Sequence, residues 1–159
     1  SLRSPANFVM ECTMKLKYIT SYHFLSLLVA IGAPVQLAAE EEHTPLGESM
    51  EEIGGAWRRV KRQASDQSKN DETLAMVAKM QAAAKEGMKH KPALLEDIPV
   101  AEKKDFLVGY GRAMQAFSQK LDKLAAALTA GDNETAAAVV VEIDNLRKKG
   151  HTNYKKPEE

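Results

Sequence analysis

Between Leu107 and Leu128 the residues Leu107, Tyr110, Met114, Phe117, Leu121, Leu124 and Leu128 follow one another in alternating steps of three and four. Only an α-helix returns side chains to one face at that spacing, and a strand would scatter them over both faces. The stripe runs for three heptads, so this helix must bury one whole side against other helices. Gly131 is a fitting stop for it, and Asp132 or Asn133 is a fitting cap for the next.

Three further helices follow from the same logic. The first opens at Thr44-Pro45, a capping residue followed by a proline allowed in the first turn, and carries Leu46, Met50, Ile53, Trp57, Val60 and Ala64 on one face. Ser65 to Asp71 reads as a turn. A second helix runs from about Glu72 to Lys89 with Met76, Val77, Met80, Ala84 and Met88 inward, and Pro92 marks its end. The fourth passes through Ala136, Val140, Ile143 and Arg147 towards His151. Short turns between the first and second helices, and between the third and fourth, make neighbours antiparallel. The expected fold is all-α, an up-down-up-down four-helix bundle; a long two-stranded coiled coil is disfavoured by the Pro92 connection and the short helices.

The chain has 159 residues, with 22 basic and 22 acidic side chains. A net charge of zero argues against a sequence-blind grip on nucleic acid. From Met14, two lysines, an apolar run from Phe24 to Ala33 and the small residues Ala38 and Ala39 have the layout of a secretory signal peptide, with a cut after Ala39. The run is shorter than the ~20 residues of a membrane span, and a retained anchor is the alternative. Residues 1–13 match no targeting pattern and read as upstream or appended sequence. The organisation expected is therefore 1–13 upstream, 14–39 signal peptide and 40–159 bundle, exported to a bacterial periplasm with no membrane span after cleavage. The sole cysteine, Cys12, lies upstream, so the exported part has neither a disulfide framework nor a C-x-x-C-H haem attachment. From Glu40 onward there are 19 basic and 21 acidic residues, a charge of −2.

Topology brings distant residues to one end of such a bundle: Met50 from the first helix, Met88 and His90 from the second, Phe106 and Tyr110 from the third, His151 from the fourth. Val140 lies eleven residues before His151, and at 3.6 residues per turn the two point within about 20° of each other. That spacing reads His151 as inward, away from Lys148 and Lys149. Imidazole with thioether is a poor zinc pair but a good axial pair for haem iron. The chain lacks the two Glu-x-x-His motifs that a di-iron centre needs, and has no nucleophile elbow and no phosphate loop.

The exported part resembles the cytochrome b562 family of soluble periplasmic haem proteins, from Glu48 to Lys156. The resemblance rests on Met50-Glu51 followed by Ile53, on Lys79-Met80-Gln81-Ala82-Ala83-Ala84, on Leu95-Glu96-Asp97, on Asp105-Phe106 with Gly109-Tyr110, and on Arg147 four residues before His151. It implies Met50 and His151 as iron ligands on opposite faces of one non-covalent haem b (iron protoporphyrin IX). It further implies Phe106 and Tyr110 as pocket aromatics and Arg147 as the partner of a haem propionate. The chain departs from the family pattern at Gly150, where an aromatic is common, and a glycine there reads as a helix stop that loosens His151. Gly54 and Gly55 each cost the first helix up to ~1 kcal/mol relative to alanine; Gly54, one turn beyond Met50, reads as room for the porphyrin.

The expected function is one-electron transfer without enzymatic catalysis, by a monomer that meets unidentified redox protein partners. The rival from another class is a haem-free periplasmic helical module acting by interaction, or by metal capture through His43, His90 and His151.

Overall fold

A computed structural model describes residues 44–157. The upstream stretch, the signal-peptide segment with its cut, and His43 lie outside the described residues. Four α-helices follow in order: α1 Pro45–Gln63, α2 Asn70–Gly87, α3 Lys103–Thr129 and α4 Asn133–Tyr154. Among the described residues there is no strand. Each helix packs on the next in sequence, and α1 against α4 is the sparsest seam between neighbours. The expected antiparallel four-helix bundle is the observed one.

Local chemistry fixes the helix ends. The Thr44 hydroxyl accepts from the Gly47 N–H at 3.0 Å, and Pro45 fills the first helical position, whose N–H has no intrahelical partner. A short 3-10 turn, Gln67–Lys69, capped by Asp66, carries the chain into α2. α3 ends where Gly131 turns left-handed at φ 73°; the Gly131 N–H donates to Leu128 O and the Asp132 N–H to Ala127 O, closing the last turn. Asp132 then caps α4 through the Thr135 N–H at 2.9 Å.

The core is one cluster along the bundle axis: Trp57 and Val60 from α1, Val77 and Met80 from α2, Leu121, Leu124 and Leu128 from α3, Val139 and Ile143 from α4. Burying a side chain of this size contributes about 1.5–3 kcal/mol each. At the end where α1 and α3 finish, two amides lock the four helices. Asn70 Nδ2 donates to Leu128 O at 2.9 Å, and Asn133 Nδ2 donates to Ala64 O and to Asn70 Oδ1, both at 2.8 Å.

Two inward assignments need correction. α2 ends at Gly87, two residues before the expected Lys89, and Met88 is 42% exposed. Gly87 takes the buried place, because α1 comes so close that a methyl group on it would lie 3.0 Å from Met50 Cε and 3.3 Å from Leu46 Cδ1. In α4 the buried stripe is Ala136, Val139 and Ile143, with Val140 at its half-buried edge. Gly150 does not stop α4 either: the helix runs through it to Tyr154.

Candidate functional site

The end opposite the amide lock gathers the start of α1, the end of α2, the start of α3 and the end of α4. Met50 is half-buried on α1, with its methyl group against Gly87. Tyr110, buried on α3, donates its hydroxyl to the Gly87 carbonyl at 3.2 Å, and burial raises its pKa above the ordinary tyrosine value. Phe106, one turn earlier on α3, is half-buried. Tyr154, on the last turn of α4, sets its ring edge-on to both, at centroid distances of 5.3 Å from Phe106 and 5.5 Å from Tyr110. Met50, Phe106 and Tyr110 thus share one end, as their positions in sequence require.

His151 stands one turn before Tyr154, and its residue surface is exposed. The rotated stripe explains this. Ile143 lies eleven residues before Tyr154, so Tyr154 continues the buried face, whereas His151 continues Val140 at the edge. Partial burial of the ring, then the positive charges of Arg147 and Lys155, hold the His151 pKa below its ordinary value. That direction favours the uncharged imidazole, whose free lone pair is the form that binds metal.

Arg147, one turn before His151, reaches Asp144 at 3.4 Å through its terminal nitrogen, while its Nε is buried with no hydrogen-bond partner. Asp144 is already engaged. Its hydrogen bond to Lys148, then the charges of Lys148 and Lys61 and the Trp57 indole, bring its pKa down to about 2. The Trp57 Nε1 has no partner within hydrogen-bond geometry, so the indole is the least of these pulls. Lys61 belongs to α1 and Asp144 to α4, and the pair, 3.8 Å apart, bridges the sparse seam. Both this bridge and the Asn133–Ala64 bond lie on the stretch of α1 beyond Trp57. Nearer Met50, a methyl group added to Gly54 or Gly55 would meet nothing within 4 Å.

His90 occupies different ground. It lines an open groove of about 410 Å³ with Glu48, Ser49, Glu52 and Glu86, and its Nε2 lies 3.4 Å from Glu86 Oε1. Among the described residues no group of three or more His, Cys, Asp or Glu is arranged to hold a metal ion. The metal-capture alternative also calls on His43, which lies outside the described residues.

Tyr154 is the member of this end that the stripe reading of α4 leaves out. The signal was present three residues after His151, but it depended on choosing Ile143 rather than Val140 as the centre of the α4 face.

An antiparallel four-helix bundle with a thioether and an imidazole brought to one end, beside aromatic rings and an arginine, defines the class of helical-bundle haem proteins. The family model of cytochrome b562 matches residues 45–155, all four helices, and the chain belongs to the cytochrome b562 family. Comparison with individual curated proteins returns no match. The family supports a haem-binding cytochrome, and the residues present fit that group. The fit rests on the unpaired buried Arg147 Nε, the open space over Gly54 and Gly55, and a thioether and an imidazole at the same bundle end.

Proposed function

We propose that this chain is an exported electron-transfer cytochrome holding one non-covalent haem b between Met50 and His151. The observation that carries the reading is the placement, at one bundle end, of a half-buried thioether on α1 and an imidazole on α4. The polar links between those two helices lie in the other half of the seam.

Each residue then has a definite task. His151 would hold the haem iron through a ring nitrogen and Met50 through its thioether, which would favour the reduced metal and raise the potential. Phe106 and Tyr110 exclude water from one wall, and the Arg147 guanidinium faces a propionate. Gly54 and Gly55 leave one wall without side chains. Haem bound here supplies a one-electron ferric–ferrous couple. With Met50 and His151 both holding the haem, no coordination position would be left open to oxygen or substrate, and electron transfer without catalysis would follow. A redox partner docks transiently at this end through a small interface. No helix among the described residues is long and apolar enough to cross a membrane, and the signal-peptide layout from Met14 supports export to the periplasm.

Haem titrated into the haem-free protein tests the reading. The expected result is stoichiometric uptake with a low-spin Soret band, sharp bands after reduction, and colour lost on a denaturing gel, because the described residues offer no thiol for a covalent link. A chain that leaves the free-haem spectrum unchanged overturns the function. Colour retained on the gel overturns the non-covalent attachment.

A further inference from the structure

The last turn of α4 has little to hold it. From Lys148 to Lys156 every residue is exposed except Gly150 and Tyr154. Gly150 carries no side chain, and Tyr154 packs its ring against the hydrophobic core, while Lys156 pairs with Asp97 at 3.2 Å outside it. Tyr154 packs there through a fitted contact. Its ring meets Phe106 and Tyr110 edge-on, with interplanar angles of 69° and 70°, and its hydroxyl end lies over Gly109. A methyl group on Gly109 would stand 2.9 Å from Tyr154 Oη but 3.9 Å from Cζ, so the notch admits the hydroxyl because residue 109 is a glycine. The same turn is closed by the Lys155 N–H donating to the His151 carbonyl at 3.1 Å.

Tyr110 is itself pinned to the Gly87 carbonyl, and Gly87 is the residue against which Met50 packs. One continuous set of contacts therefore runs from Met50 through Gly87 and Tyr110 to Tyr154, one helical turn from His151.

We infer that Tyr154 is a positioning residue, which clamps the end of α4 into the Gly109 notch and thereby fixes the His151 imidazole relative to Met50. The inference rests on the haem-binding reading above. A side chain that orders a ligand turn before binding removes the cost of ordering it at binding, so its loss weakens affinity without removing a ligand.

Substitutions at the two contacting positions separate this role from general packing. Tyr154→Ala should weaken haem binding about tenfold, the scale of losing two aromatic pairs, and should give a mixed high-spin and low-spin spectrum. Tyr154→Phe keeps both ring contacts and should stay near the parent. Gly109→Ala should weaken binding in the parent, yet be tolerated together with Tyr154→Phe, which lacks the oxygen that the new methyl group meets. Hydrogen exchange at the Lys155 amide in the haem-free protein should rise in Tyr154→Ala while the α3 amides stay protected.

If the parent takes up haem and Tyr154→Ala matches it in affinity and spin state, the clamp is wrong. If Gly109→Ala is equally damaging with Phe and with Tyr at position 154, the notch is wrong. Should the parent take up no haem, the function fails instead, and the exchange measurement decides the clamp alone. Faster exchange in Tyr154→Ala supports it, and unchanged exchange overturns it.

Discussion

Two histidines stand at the same end of the bundle, and their surroundings assign them different work. His90 follows the last residue of α2, sits 3.4 Å from the Glu86 carboxylate and looks onto a groove rimmed by Glu48 and Glu52. His151 is partly buried with cations beside it, Arg147 and Lys155, and these hold its pKa below the ordinary value. Replacing His90 with alanine should therefore leave haem affinity and the reduced spectrum within about twofold of the parent. His151→Ala should weaken retention more than the roughly tenfold typical of losing an outer partner of a metal ligand. Haem titrations of the two variants check this, and a lost low-spin spectrum in His90→Ala would point to coordination by two histidines. Met88, expected inward, has no role in this contrast, because its side chain is 42% exposed.

Among the elements, α4 was the hardest to orient from sequence. Its buried half opens with Ala136, Ala137, Ala138, Val139, Val140 and Val141, six apolar residues in a row that populate every face. A one-residue error in choosing its centre turns the stripe by about 100°. Centring on Val140 pointed His151 inward and overlooked Tyr154; the packed centre is Val139 with Ile143, and Val141 is 61% exposed. α3 carried no such ambiguity, since its stripe positions are large apolar residues set among small or polar ones, and each from Tyr110 to Leu128 is buried. The caps at Thr44, Gly131 and Asp132 were also legible, because their roles need only neighbouring backbone. The Asn70–Asn133 lock was not, since residues 63 apart in sequence meet only through the completed fold.

The α1–α4 seam brings a pH dependence of its own. Asp144 ties α4 to Lys61 of α1, and its pKa is lowered to about 2 by Lys148 first. A carboxylate lowered on folding contributes stability above its unfolded value and loses it as pH falls through the folded value. Between about pH 4 and pH 2 the haem-free bundle should lose cohesion at this seam. Asp144→Asn should remove that part of the acid transition while costing about 1 kcal/mol near neutrality, the upper range for solvent-screened ion pairs. Urea midpoints followed by circular dichroism across that range check the prediction; an unaltered acid profile in Asp144→Asn contradicts it.

At the scale of the whole molecule the two ends are built for different purposes. One end is closed by amide hydrogen bonds that join all four helices, and α1 meets α4 there. At the other, glycines, aromatic rings, a thioether and an imidazole take their place, with open space over Gly54 and Gly55. A bundle stapled at one end keeps its topology while the other end accommodates a flat, largely apolar group. The central claim is that this group is held from the α1 side by Met50. The optical spectrum and midpoint potential of haem-loaded Met50→Ala, set beside the parent, test it most directly. The account predicts that the variant keeps its haem through His151, shifts towards high spin, accepts added imidazole and falls in potential, because the thioether that favours reduced iron is gone. A low-spin spectrum and a potential unchanged from the parent would show that another side chain holds that position, and would contradict the assignment.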